Sequence, residues 1–173
     1  MDALQAILSR VSVREYSDRE ITDEQVHAIL EAGMSGPSCV NARDWSFVVV
    51  QDPEMLNRMA DANGRPAEPL RNAKLGILVC GDLDRAFPHA PEYWVVDGSI
   101  AAQNMILAAQ AMGIGSVWLG TWPQMDRVEK QKQLFGLPDT QVPHSIIAFG
   151  YPKEPVAKEK LLYEEDRVHF GKW

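Results

Sequence analysis

From Gly98 through Met125 the chain has no charged residue, although 24% of its 173 residues are charged. The surrounding stretch, Tyr93 to Thr121, reads YWVVDGSIAAQNMILAAQAMGIGSVWLGT. Val96, Ile100, Gln103, Asn104, Leu107 and Ala111 recur at three- and four-residue steps, the spacing of one helical face. Apolar residues also fill the other faces (Ala101, Ala102, Met105, Ile106, Ala108, Ala109 and Met112). A helix apolar all round is expected to be buried on all sides. Gly113 is placed to end it as a C′ glycine, and GSVWLGT follows as a short apolar run of strand type. The small residues Gly98, Ala101, Ala102, Ala108 and Ala109 allow close packing by another helix or by a second subunit.

A membrane span needs roughly 20 mostly apolar residues without interruption, and Asp97, Ser99, Gln103, Asn104 and Gln110 break this run. A buried core helix is the better reading. The length fits one domain. A net charge of −7 argues against nonspecific binding to nucleic acid or acidic membranes. Cys39 and Cys80, far apart, are the only 2 cysteines, which excludes a disulfide scaffold and a zinc ribbon and suits a reducing compartment. The first residues, MDALQAILSRVSVREY, lack a continuous apolar segment of the secretory type. A cytoplasmic location is the expectation.

Leu4, Ile7, Leu8 and Val11 mark an amphipathic helix, and Thr22 with Gln25 forms a capping box before a second one carrying Val26, Ile29, Leu30 and Met34. SFVVVQ reads as a strand. Asp52 and Pro53 open a third helix. A short helical piece is expected around Leu70 to Ala73, then strand LGILVCGD, a helix over about Gln124 to Phe135, and a last strand in VPHSIIAFGYP. Helices and strands interleave without two-residue hairpin turns, which favours a mixed α/β or α+β sheet covered by helices. From Pro152 the chain is charged yet holds Leu161, Leu162, Tyr163, Val168, Phe170 and Trp173. A disordered tail is normally poor in aromatic residues. Residues 152–173 therefore read as an extended arm of the 1–151 domain, docking on its own body or on a partner.

Gly113, Gly115 and Gly120 follow a helix and open a strand, the reverse of a dinucleotide-binding loop. His27, His89, His144 and His169 show no metal-ligand spacing, and Ser38 and Cys39 lack a nucleophile signature. Two features have chemical promise. Arg10 and Arg14 flank Ser12 in RVSVR, a plausible anion clamp, since guanidinium groups contact phosphate bidentately. The alternative is a solvated pair bonded to Asp18 or Glu20. The loop Gly36-Pro37-Ser38-Cys39-Val40-Asn41 offers small side chains, backbone N–H groups and an amide ahead of Trp45, and serves equally well as a plain connection.

Taken in order, R-x-S-V-R-x-Y, G-P-S-x-x-N-x-x-x-W, D-G-x-x-A-x-Q-N-x-x-L-A-A-x-x-x-G-I-G-S-V-W-L-G, G-Y-P and R-V-H-F-x-K-W resemble the nitroreductase family of FMN-dependent oxidoreductases in its short form. The resemblance implies an α+β fold with a central mixed, mainly antiparallel sheet flanked by helices. It implies a homodimer with FMN at the subunit interface, and a C-terminal arm that adds a strand to the partner's sheet. By position, Arg10 and Ser12 resemble the family's phosphate contacts, and Arg14 lies toward the pyrimidine carbonyls. Pro37, Ser38, Cys39 and Asn41 resemble the segment lent by the other subunit. Trp118, Leu119 and Gly120 resemble the strand end whose backbone approaches flavin N5, and Lys158 and Lys160 a phosphate-binding pair. The implied activity is hydride transfer from NAD(P)H to a nitroaromatic, quinone or similar acceptor by a ping-pong cycle, with no side-chain acid or base. A flavin-binding sensor or carrier without turnover, and a same-fold enzyme such as a reductive dehalogenase, are the rival readings. Arg43 and Asp44 depart from the N-x-Q-P-W pattern common among relatives.

Overall fold

The computed structural model describes residues 1–156 and 163–173. Its elements run in the order α1 Ala3–Ser9, α2 Asp23–Met34, β1 Trp45–Val50, α3 Pro53–Asn63, β2 Leu75–Asp82, α4 Tyr93–Ala111, β3 Gly115–Gly120, α5 Met125–Phe135 and β4 Gln141–Gly150. Local chemistry sets the helix ends. Thr22 and Gln25 cap α2 reciprocally, Asp52 accepts from the Met55 N–H ahead of Pro53, and Gly136 closes α5 in the left-handed conformation. The short helical piece expected near Leu70 is a longer 3-10 segment, Arg65–Asn72.

The sheet has the order β1-β2-β4-β3, with every neighbouring pair antiparallel. A single parallel bridge, Ser12 to Ser116, adds the N-terminal segment beside β3. Both faces of the sheet are covered. Leu78, Cys80, Ile146 and Ala148 pack toward Leu56 and Met59 of α3 and Leu70 of the 3-10 segment. Leu75, Ile77, Val79, Ile147 and Phe149 pack toward Ile29 of α2 and Ala102, Met105, Ile106 and Ala109 of α4. Burial on both faces is why β2 and β4 read as nearly unbroken apolar runs.

The expectation that α4 is buried on all sides holds on one side only within this chain. Trp94, Ala101, Ala102, Met105, Ile106 and Ala109 are buried, whereas Val96 and Gln103 are exposed and Ile100 and Leu107 are half-buried. The open stripe is the face picked out by the three- and four-residue steps. Leu4 and Ile7 of α1 are also exposed, as are Phe170 and Trp173. Among the described residues no helix is long and apolar enough to cross a membrane.

Candidate functional site

The RVSVR segment leaves α1 at Arg10, whose N–H closes the last turn on the Ala6 carbonyl. It then runs extended beside β3. The Val13 N–H donates to the Ser116 carbonyl at 2.9 Å, and Val13 is buried while Ser12 and Arg14 are exposed. Extended backbone alternates sides at every residue, so Arg10, Ser12 and Arg14 share one side. Gly115 makes this approach possible, because a Cβ there would stand 2.8 Å from Val13 Cβ. The predicted alternative for the two arginines is not what forms. Neither pairs with Asp18 or Glu20, and Glu20 takes Lys74 at 2.8 Å instead.

Arg14 also lines a cleft of about 720 Å³ with Glu15, Arg65, Pro69, Arg71 and Asn72. The Arg71 guanidinium is neutralised by Asp61 at 2.8 Å and Glu68 at 3.0 Å. Arg10, Arg14 and Arg65 have no carboxylate partner among the described residues. Arginines left unpaired in an acidic chain are available to an anion.

The far end of β3 lies ~13 Å from Ser116, at roughly 3.3 Å per residue. There Leu119 turns into the core, Trp118 is 38% exposed, and the Cβ direction of Gly120 meets open space. The strand end is held from behind. Its Gly120 carbonyl accepts from Asn63 Nδ2 at 3.2 Å and from an Arg127 guanidinium N–H at 3.0 Å, and Thr121 Oγ1 donates to Asn63 Oδ1 at 2.9 Å. Next to it His144 lies between Ser99 Oγ at 3.2 Å and Ser145 Oγ at 3.0 Å, edge-on to Trp94 and Trp118. Burial pushes its pKa down to about 4, so the ring is neutral at pH 7 and serves as packing.

The 38–41 loop is tied elsewhere. The Cys39 N–H donates to both Asp97 oxygens, at 3.1 and 3.0 Å, and the Arg43 N–H donates to Ser38 Oγ at 2.9 Å. Pro37 and Asn41 are exposed. Burial, then the nearby Asp97 and Asp44 carboxylates, raise the Cys39 thiol pKa, which makes it a poor nucleophile. Among the described residues no hydrogen bond joins this loop to the Arg10–Arg14 segment of the same chain. Within one chain, therefore, the structure brings Arg10, Ser12, Arg14, Trp118, Leu119 and Gly120 onto one strand edge. It leaves Pro37, Ser38, Cys39 and Asn41 on α4. Lys158 and Lys160 lie outside the described residues.

Sequence reasoning missed Arg65, Asn63 and the Asp44–Asp97 contact. Asp97 had a usable signal: it is the only charge between Tyr93 and Met125, and a buried charge in an apolar helix needs a donor.

The sequence profile of the Nitroreductase family matches residues 7–79 and 64–151. A protein of Methanothermobacter thermautotrophicus, named provisionally as an NADH dehydrogenase/NAD(P)H nitroreductase, is 42% identical over 174 residues, covering 100% of this chain and 88% of its own length. A Bacteroides thetaiotaomicron structure with the same provisional name superimposes at a TM-score of 0.91, with 40% identity and coverage of 99% of this chain and 98% of that one. An FMN-dependent nitroreductase from Clostridium difficile superimposes at 0.89, with 28% identity and coverage of 98% and 99%. With the family profile, the sequence identity and the fold in agreement over nearly the whole length, this chain belongs to the nitroreductase family.

Proposed function

We propose that the protein is an FMN-dependent oxidoreductase that takes hydride from NAD(P)H and reduces a small oxidised acceptor, a nitroaromatic, a quinone or a similar compound. The carrying observation is the β3 edge. Arginines without carboxylate partners among the described residues stand on one side of an extended segment at one end, and an open glycine held from behind stands at the other. The donor set fits the group: guanidinium and hydroxyl for a phosphate, a second cation for a carbonyl edge, and room above Gly120 for a flat ring.

When bound, FMN would supply the redox chemistry, as the two-electron carrier of a ping-pong cycle between nicotinamide and acceptor. Arg10 and Ser12 hold the phosphate. Arg14 presents positive charge to the pyrimidine edge, where negative charge develops on reduction, an electrostatic preorganisation. Asn63 and Arg127 fix the Gly120 peptide, which would border the flavin ring. Trp118 borders the opening through which nicotinamide and acceptor enter in turn. No side chain needs to move a proton, which agrees with His144 being buried and neutral.

The second half of the site comes from another copy of the chain. Its Ser38–Asn41 loop closes over the ring, and the open stripe of α4 together with α1 forms the seam. The apolar exposure of Leu4, Ile7 and Val96 supports this arrangement. The arm from Pro152 onward crosses to the partner in this reading, with Lys158 and Lys160 at the phosphate.

The test is direct. The purified protein is expected to be yellow, or to turn yellow with added FMN. Anaerobic NADH or NADPH should bleach it, and a nitroaromatic or quinone should restore the colour. A protein that takes up no FMN defeats the proposal. Bound FMN that neither nucleotide bleaches leaves only a flavin binder.

A further inference from the structure

Asp44 is 1% exposed, and neither of its carboxyl oxygens has a hydrogen-bond partner among the described residues. A buried carboxylate without a donor is costly. Three acidic or thiol groups face it. Asp97 of α4 is close enough to accept a hydrogen bond from a protonated Asp44, Asp82 of β2 adds a further negative charge, and Cys39 lies across the pair. The nearest cation along the chain, Arg43, stacks over the Trp45 ring at 5.6 Å and bonds neither carboxylate. Among the described residues no other side chain donates to Asp44, so a proton on Asp44 itself, directed at Asp97, is the side-chain donor this pair has.

The same Asp97 holds the Cys39 N–H with both oxygens. The loop it holds contains Val40 at φ 46° and Asn41 at φ 58°, and Arg43 follows it at φ 53°. Left-handed backbone at non-glycine residues costs energy, most of all at a β-branched valine, and persists only where the surroundings enforce it. Of the parts that meet here, α4 is packed on the sheet and Asp44 adjoins β1, so the loop is the part free to yield.

We infer that Asp44 carries a proton that it donates to Asp97, and that this proton keeps the Ser38–Asn41 loop in the shape that closes over FMN. Asp44 is then a positioning residue. It acts on the cofactor through Asp97 and the Cys39 amide and touches no reacting atom. When the proton leaves, two carboxylates face each other, Asp97 is pushed off the amide, and the loop relaxes. The inference rests on the proposed FMN site. It concerns a residue at which this chain departs from the common N-x-Q-P-W pattern.

Burial first, then the Asp97 charge, raises the Asp44 pKa from 3.8 to about 6, so the experiment spans pH 5 to 8. FMN affinity is measured by flavin fluorescence quenching in the wild type and in Asp44→Asn, whose amide is a permanent donor that does not titrate. The FMN phosphate itself titrates near pH ~6, so the informative quantity is the ratio of the two affinities. The ratio should move by roughly tenfold across the range in favour of Asp44→Asn at high pH, the scale set by a shift of about one pKa unit on binding. In the same proteins without FMN, the Cys39 amide resonance should follow pH in the wild type and stay fixed in Asp44→Asn. A constant affinity ratio together with a fixed wild-type Cys39 amide overturns the proton on Asp44. A titrating amide with a constant ratio overturns the positioning role and removes the loop from the FMN site. Failure of the wild type to bind FMN at any pH overturns the proposed function itself, and the positioning role with it.

Discussion

Helices α2 and α1 carry the same kind of apolar stripe, and the chain treats them differently. Val26 and Ile29 of α2 are closed against α4 and the sheet, whereas Leu4 and Ile7 of α1 are 71% and 48% exposed. The two sides of α4 repeat the contrast, with Met105 and Ala109 inside and Val96 and Gln103 outside. An amphipathic pattern records a demand for burial without recording who meets it. In α2 the chain meets the demand itself. In α1 and on the outer side of α4 it leaves the demand open, on the same side of the molecule as the proposed half-site.

The sharpest way to break the contrast is to cut the inner face. Met105 is fully buried between α4 and α2, where a Cβ on Gly33 would come within 2.8 Å of its Cγ. Met105→Ala should cost about 2–5 kcal/mol, the range for a large side chain removed from a core with little room to collapse. Urea unfolding at fixed protein concentration checks it. A loss below about 1 kcal/mol would mean that the inner face is no better packed than the outer one.

The boundary between the two faces has a pH signature. His144 touches Gly98 of α4 on one side and Trp118 on the other. Its pKa is lowered from 6.5 to about 4 by burial. The unfolded chain therefore takes up the proton first as pH falls below ~6.5, and stability drops by about 1.4 kcal/mol per pH unit until the folded state titrates too. Asp44 works with the opposite sign. Its folded pKa is raised to about 6, so its contribution is complete below the unfolded value and is lost as pH rises through about 6. His144→Gln should flatten the acid limb of a stability–pH curve and leave the limb near pH 6 in place. An unchanged acid limb would place the loss in another group.

How much of this was legible in the sequence follows from range. The Thr22–Gln25 box and the Asp52–Pro53 start are written within a few residues of the ends they set, and both stand as read. The RVSVR face was legible because period-two backbone puts Arg10, Ser12 and Arg14 together without help from the fold. The strand order β1-β2-β4-β3 was not, since no residue in β2 names β4 as its neighbour. Nor was the brace on Gly120, which Asn63 reaches from the last turn of α3. Asp44 and Asp97 meet only because the loop folds back on α4, and nothing local in either segment predicts it. The all-round apolar character of α4 was legible as composition; which of its sides the chain itself covers was not.

A smaller effect probes the half-site on the open side. Arg10→Ala should weaken FMN binding by roughly 1–3 kcal/mol, the usual scale for a charge-assisted hydrogen bond, while leaving the unfolding curve of the cofactor-free protein nearly unmoved, because the Arg10 side chain makes no ion pair among the described residues. Calorimetric titration with FMN reads the first quantity and urea unfolding the second. Equal FMN affinity in the variant removes Arg10 from the site.

The least costly change to the subunit is the most informative about the seam. Ile7 stands on α1 with its side chain half in solvent, so Ile7→Asp should alter the stability of an isolated subunit by no more than about 0.5 kcal/mol, as exposed substitutions generally do. A charge buried in an apolar seam is far more expensive. The same substitution should therefore shift the protein from dimer to monomer in light scattering at micromolar concentration, and FMN binding should fall with it, because each half-site would lose the loop of the other copy. If the variant stays dimeric and binds FMN normally, α1 lies outside the seam and its stripe answers to something else. If the dimer is lost but FMN binding persists, the 38–41 loop is not lent between copies, and the site on the β3 edge is complete within one chain.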